Sequence, residues 1–249
     1  MPKESYTPGH TTNATDFMSK RSLASHGAFF DQYLRPGMHV LDAGCGPGSI
    51  TQGIARRVAP AEVIGVDFAE SQIDRAKKDA AERGVRNVRF LTTGCYSLPF
   101  VSETFDCVFS HALLEHLSEP KKALTEFHRV LKPDGYAGVC SPDFGGLIIS
   151  PRSDALAEAV AAYAALQAKN GGDLYVGHKL GVHLSESGFS SIQMQARYKC
   201  YPSLTFIGEY LALQLRRNGC ERHADTLIQW SKTSGGLFAQ AWISAIGKK

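Results

Sequence analysis

The chain has 249 residues, 43% of them hydrophobic, a formal net charge of +3 and six scattered cysteines, which predicts one large α/β domain, or a domain with a small cap, around a core of ordinary size. So small a charge, with basic residues never in runs beyond two, argues against a nucleic-acid surface, and no apolar run is long enough to span a bilayer. The opening MPKESYTPGHTTNATDF lacks the apolar centre of a secretory signal and no cysteines form C-x-x-C, so a cytoplasmic protein with reduced thiols is expected.

Residues 17–34 carry an amphipathic helical pattern with Phe17, Leu23, Phe29, Phe30 and Leu34 as its apolar positions, broken by Arg35-Pro36-Gly37. A first strand at Val40–Ala43 enters Gly44-Cys45-Gly46-Pro47-Gly48, and a helix follows over Ile50–Val58. Val63–Asp67 reads as a second strand, Glu70–Arg83 as a helix closed by Gly84, and Val88–Leu91 as a third strand. Phe105–Ser110 is apolar on both faces, as a central parallel strand requires. A helix over Pro120–Leu131 stops at Lys132-Pro133-Asp134-Gly135, before a fifth strand at Tyr136–Cys140. This alternation predicts a doubly wound parallel sheet with right-handed crossovers. Beyond Ser141 the pattern changes: helices over Ala155–Gln167, Lys179–Ser187, Leu204–Arg217 and Ala224–Trp230, an alternating edge strand at Ile192–Tyr198, and a last strand at Phe238–Ile246.

The run Val40 to Ser49 (VLDAGCGPGS) holds the strongest signal. Glycines at such a turn let backbone approach a ligand, and the following helix start offers free N–H groups. Asp67, at the end of the next strand, can accept hydrogen bonds from both ribose hydroxyls. The spacing Gly44-x-Gly46-x-Gly48 departs from the dinucleotide fingerprint. Asp42 just upstream repels a phosphate and suits a ligand with a positive centre, an amino group or a sulfonium.

VLDAGCGPGS, the strand end at Asp67, FDCVFSHALLEHL and RVLKPDG, in that order between about residues 38 and 141, resemble the class I S-adenosylmethionine-dependent methyltransferases, and within them the ubiquinone/menaquinone C-methyltransferase-like enzymes that act on small molecules. The resemblance implies an α/β Rossmann-like methyltransferase fold, a doubly wound, seven-stranded, mostly parallel sheet with an antiparallel last strand and a helical substrate cap. Its divisions would be an N-terminal lid or helix over 1–36, a cofactor-binding core over 37–141, and the cap with the last two strands over 142–249. It implies S-adenosylmethionine as cofactor, with Gly44, Cys45 and Gly46 beneath its methionine part and Asp42 near the amino group. Asp67 would hold the ribose and Phe68 would stack on adenine. Gln72 either reaches the ribose edge or lies on a solvated helix face. Many relatives place an acid where this chain has Gly94, so adenine would rely on backbone at Gly94 and Cys95. Ser110 and His111 would line the donor end, and Arg21 would pair with the cofactor carboxylate or stay on the surface.

Methyl transfer needs aligned reactants, exclusion of water and, for a protonated nucleophile, a base. His111, Glu115 and His116 are the catalytic candidates; were the segment helical, His111 and Glu115 would share a face and His116 would turn away. Tyr6 and His10 are placed in a lid and, with Tyr175 and His178, are the acceptor-contact candidates, although Tyr175 and His178 suit a structural role equally. Tyr201, Phe206, Tyr210 and Trp230 form an aromatic stripe of core or pocket. The spacing of His111, Glu115 and His116 matches no metallopeptidase motif, so no metal is expected. The expectation is methyl transfer to a small organic acceptor, apolar or aromatic and natural-product- or quinone-like. A non-catalytic S-adenosylmethionine-binding protein, or a methyltransferase for protein or RNA, is the alternative. Which of O, N or C is methylated, and the oligomeric state, stay open.

Overall fold

A computed structural model describes residues 5–9, 15 and 18–249. Its strands are β1 Val40–Ala43, β2 Val63–Asp67, β3 Val88–Thr92, β4 Phe105–His111, β5 Leu131–Ser150, β6 Ser190–Cys200 and β7 Leu237–Lys248. They form one seven-stranded sheet in the order β3-β2-β1-β4-β5-β7-β6. β1 to β5 run parallel, and β7 lies antiparallel between β5 and β6. This is the mixed, doubly wound sheet expected, with β6 at the edge.

Helices cover both faces. On one, α1 (Ser49–Val58) and the segment before β1 bury Phe30, Leu34, Ile54 and Val58 against Val40, Cys107 and Phe109. α2 (Glu70–Glu82) buries Ile73 and Ala76 against Phe90. On the other, α3 (Pro120–Val130) and α5 (Leu180–Glu186) bury Leu124, Phe127 and Leu184 against Leu41, Val108 and Val139. Each fully buried aliphatic or aromatic side chain contributes about 1.5–3 kcal/mol. α4 (Asp154–Lys169), α6 (Leu204–Arg217) and α7 (Glu221–Ser231) build a cap with its own core of Tyr163, Leu211, Leu227 and Trp230. Ser153 and Ser203 cap α4 and α6 by accepting from the N–H groups of Leu156 and Phe206.

Two expectations need correction. No single helix runs over 17–34: the described part divides into a π-helical turn, Leu23–Gly27, and a 3-10 turn, Asp31–Tyr33. Phe30 and Leu34 are both fully buried, and the Phe30 ring fills the space that Gly138 leaves, where a Cβ would stand 2.3 Å from it. The break lies upstream of them: Ser22 is in extended backbone and closes a capping box with Ser25, which starts a separate turn at Leu23. Phe17 lies outside the described residues. β5 also runs past Cys140 to Ser150, because residues beyond Ser141 keep pairing with β7 as far as Ser150↔Leu237. The turn read at Lys132–Gly135 is a bulge between the pairs Phe105↔Leu131 and Cys107↔Tyr136, with Asp134 at φ +63°.

The chain leaves β1 outward to β2 and β3, then returns to β4 on the other side of β1. That reversal opens a crevice beyond the carboxyl ends of β1 and β4, where such sheets bind ligands.

Candidate functional site

The glycine turn forms one wall of the crevice. Gly44, Gly46 and Gly48 have φ of +74°, +51° and +73°, the left-handed region that only glycine enters without strain. The N–H groups of Gly44 and Cys45 both donate to the Val66 carbonyl, at 2.8 and 3.0 Å, which ties the turn to β2. Asp67 then closes the corner: one carboxylate oxygen accepts from Gly46 N–H at 3.0 Å and the other from Ala69 N–H at 2.9 Å. Turn and acid, 21 residues apart in sequence, are thus fixed to each other. Phe68, beside them, is 62% exposed, an open aromatic face at the strand end.

Asp42 is buried and accepts from Thr51 Oγ1 at 2.6 Å. Burial raises its pKa to about 7, the Thr51 hydroxyl opposes that rise, and the charge of Asp67 adds to it. Cys45 is half-buried, and desolvation with the charges of Asp42 and Asp67 pushes its thiol well above the usual range, so it stays protonated. Gln72 does not lie on a solvated helix face: it is buried, and its Nε2 donates to Thr15 Oγ1 at 2.9 Å. Ser49 Oγ donates to the Met18 carbonyl at 3.2 Å. Thr15 and Met18 therefore strap the chain across the turn and α2. Beyond β3, no atom lies within 4 Å of where a Cβ on Gly94 would stand, so this edge is open. Cys95 turns inward to the sheet core. Ser110 is a correction: its buried hydroxyl donates to the Ala43 carbonyl at 2.9 Å, a brace between β4 and β1 rather than a lining group.

The HALLEH segment is not helical from His111. His111 ends β4, Ala112 takes φ +58°, and a 3-10 turn spans Leu114–His116. The reversal at Ala112 sends His111 to one side and Glu115 with His116 to the other. His111 stacks on Trp242 with ring centroids 4.8 Å apart, and burial pushes its pKa well down. Glu115 and His116 line a cavity of about 70 Å³ under the cap, with Tyr6, Met18, Arg21, Tyr163 and Tyr210. The far side of Trp242 borders this cavity too.

Glu115 is 2% exposed, and Ser141 Oγ donates to its carboxylate at 2.9 Å. Burial raises its pKa to about 7, against the pull of its own backbone N–H, Ser141 and Arg21. His116 is pushed down to about 3 by burial and then by Arg21, so its ring is neutral. Gln167 of α4 donates one amide proton to the Glu115 carbonyl and the other to His116 Nδ1, both at 2.9 Å. An amide nitrogen only donates, so Nδ1 accepts and His116 carries its proton on Nε2. The loop before α5 passes directly over Glu115: a Cβ on Gly172 would stand 2.3 Å from the Glu115 carbonyl oxygen. The Asp173 N–H donates to that oxygen at 2.8 Å.

Arg21 lines the cap cavity, its guanidinium 5.7 Å from the centre of the Trp242 ring. Tyr6 packs edge-on to His116 at 4.7 Å. Tyr175 and His178 line neither chamber, which corrects their acceptor-contact reading. The Asp143 carboxylate gathers the Gly145 N–H, the His178 N–H and His178 Nδ1 at 2.7, 2.7 and 2.9 Å, pulling this turn outside. Tyr175 is left 40% exposed. His10 lies outside the described residues. Among the described residues no group of three or more His, Cys, Asp or Glu could hold a metal ion, and no helix is long and apolar enough to cross a membrane. Of the aromatic stripe, Tyr201 and Tyr210 line the cavity while Trp230 packs in the cap core. Sequence reasoning missed Gln167, although Tyr163 and Gln167 are four apart on one helix and so share a face. Nothing in the sequence marked Trp242, whose place depends on pairing between Pro142 and Arg197.

The fold and this crevice define a class I methyltransferase with a Rossmann-like sheet. The pattern of the family described as "Methyltransferase domain" matches residues 34–195, and the chain belongs to that family. An uncharacterized methyltransferase of Schizosaccharomyces pombe is 35% identical over 153 residues, 59% of this chain and 55% of the relative. A demethylmenaquinone methyltransferase of Symbiobacterium thermophilum is 36% identical over 113 residues, 44% of this chain and 45% of the relative. The chain spans about half the length of these curated relatives. The structure of the YcgJ protein of Bacillus subtilis superposes with a TM-score of 0.67 at 23% identity, covering 90% of this chain and 97% of that one; this likeness shows the fold. The crevice fits S-adenosylmethionine: a glycine-rich turn, an anchored acid, an exposed aromatic face and, among the described residues, open space at Gly94.

Proposed function

We propose that this protein transfers a methyl group from S-adenosylmethionine to a small apolar or aromatic acceptor, of natural-product or quinone-like kind. One observation carries the reading: the buried Glu115 carboxylate, with a pKa of about 7, faces an aromatic cavity at the ends of the central strands. In the cofactor crevice Gly44, Cys45 and Gly46 would supply backbone, Asp42 would meet the amino group, Asp67 the ribose, Phe68 the adenine face and Gly94 with Cys95 its edge. The cofactor supplies an electrophilic methyl group on sulfur.

The chain's own residues do the rest. Glu115 accepts the acceptor's proton at its carboxylate, the role for which a pKa near neutrality is suited. Arg21 opposes the negative charge that this leaves on the acceptor. Gln167 holds His116 in one tautomer, so its Nε2–H is a fixed donor beside Glu115. Tyr163, Tyr201, Tyr210 and Trp242 supply apolar and aromatic walls. A cavity of about 70 Å³ is smaller than an aromatic ring requires, so the acceptor enters as Tyr6 and Met18 move aside. The six free thiols support a cytoplasmic setting.

Incubation with S-adenosylmethionine and a panel of phenols, quinols and hydroxylated polycyclic compounds tests this, read by mass spectrometry. A product heavier by one methylene, with matching S-adenosylhomocysteine, is expected. Tight cofactor binding with no methylated product across the panel would favour the non-catalytic binding reading.

A further inference from the structure

Trp242 is a wall with two sides. On the side away from the cap lies a cleft of about 270 Å³, between the turn at Leu23–Gly27 and the ends of β4, β5, β6 and β7. We propose that this cleft binds a small organic anion, a carboxylate or a phosphate monoester, as a ligand site distinct from the cofactor and acceptor sites.

The lining is one-signed. Arg197 and Lys199 stand two apart on β6, hence on the same face, and both line the cleft. His26 and Ser25 face them from the turn, and no Asp or Glu is among the lining residues. Arg197 makes no ion pair among the described residues. His111 forms part of the wall, is 6% exposed, and its Nδ1 has no hydrogen-bond partner among the described residues. An orphaned buried ring nitrogen is rare in a finished core, and this one belongs to a residue of the cleft wall. Phe29 and Trp242 add apolar walls for an organic body.

The electrostatics agree with the geometry. Lys199 Nζ donates to His26 Nε2 at 3.2 Å, and Ser25 Oγ lies 2.8 Å from His26 Nδ1. His26 is held to a pKa of about 4, by burial and then by the charges of Lys199 and Arg21. His111 and Trp242 face it at 5.3 and 6.4 Å. Positive charge is thus concentrated here, and an anion relieves it. The planar guanidinium of Arg197 can fork onto either a carboxylate or a phosphate.

The test titrates the Trp230→Phe protein, whose one remaining indole is Trp242, with inorganic phosphate and separately with succinate. Chloride holds the ionic strength constant. Trp242 emission and the His26 imidazole signals in NMR spectra are followed. Saturable change is expected with at least one anion, with His26 titrating at higher pH in the complex. The Arg197→Gln/Lys199→Gln double variant is expected to weaken binding at least tenfold and leave S-adenosylhomocysteine affinity and melting temperature unchanged. Saturation by phosphate alone assigns a phosphate monoester, by succinate alone a carboxylate, and by both an anionic group read without regard to its centre. No saturable response to either, or equal affinity in the double variant, overturns the proposal. Because cofactor affinity is read in the same samples, failure here is separate from failure of the methyltransferase reading.

Discussion

The cofactor crevice and the cap cavity sit a few residues apart along β4 and β5, yet they are built in opposite ways. The crevice comes from short contiguous runs, 42–48, 67–72 and 93–95, and its main instruments are backbone: left-handed glycines, N–H groups on Asp67, an empty place at Gly94. The cavity comes from side chains contributed by the N-terminal segment, the Glu115 turn, β5, α4, α6 and β7. A backbone-built site is specified by the fold and holds one ligand. A side-chain-built site can be retuned one residue at a time while the sheet stays the same.

Substitutions should separate the two. Glu115→Gln should lower kcat by roughly 10²- to 10⁴-fold, the usual worth of a positioned base, while S-adenosylhomocysteine affinity by calorimetry stays unchanged; an equal loss in both would merge the chambers. Asp67→Ala should do the reverse, weakening S-adenosylhomocysteine by roughly 10- to 150-fold, as expected for about 1.5–3 kcal/mol of charge-assisted bonding. The pH dependence of binding sharpens the contrast further. Asp42 has a pKa of about 7 in the ligand-free protein, and a cationic amino group beside it favours the ionised form. S-adenosylhomocysteine affinity should therefore rise several-fold between pH 6 and 8, and the rise should flatten in Asp42→Asn.

The same raised pKa values set the stability of the ligand-free protein. Asp42 and Glu115 both titrate higher folded than unfolded. Between their ordinary pKa values and about 7 these two carboxyls bind more protons in the folded state and so make stability fall as pH rises, while His26, His111 and His116, held below their ordinary value, act in the opposite direction over the same window. Urea unfolding at pH 5 and pH 8 therefore isolates the Asp42 share as a difference: the stability gap between the protein and Asp42→Asn should shift in favour of the variant as pH rises. The smallest effect is expected from Ser141→Ala. The hydroxyl lowers the Glu115 pKa, so its removal should move the rising limb of the kcat profile upward by less than one pH unit, without changing cofactor affinity.

Legibility in the sequence followed the same division. The strand–turn–helix at Val40–Val58 and the acid at Asp67 were readable because each depends on neighbours along the chain: glycine spacing, strand polarity, helix start. The parallel, doubly wound arrangement of β1 to β5 followed from the alternation of periods, and the seven-stranded mixed sheet from the family resemblance; the strand order was not read. What sequence could not carry was register and reversal. Ala112 at φ +58° decides that His111 and Glu115 part company, and alanine carries no signal for a left-handed turn. Ser110 faces a carbonyl on β1 rather than the crevice because β4 pairs with β1 at that register. His178 is drawn outside by Asp143, 35 residues away, through contacts no spacing rule encodes. The break within 17–34 came from local capping: Ser22 takes extended backbone and closes a box with Ser25, a signal that apolar periodicity passes over.

Thr15 and Met18 contact α2 and the start of α1, and the segment around Tyr6 is stitched to the end of α4, where Ser5 N–H donates to the Asn170 carbonyl and the Asn170 amide to Thr7. Described residues of the N-terminal segment thus touch both chambers. A compound that merely pinned the Tyr6 segment to α4 is therefore expected to change both cofactor affinity and acceptor turnover without occupying either site, an outcome that calorimetry and turnover measured together would read.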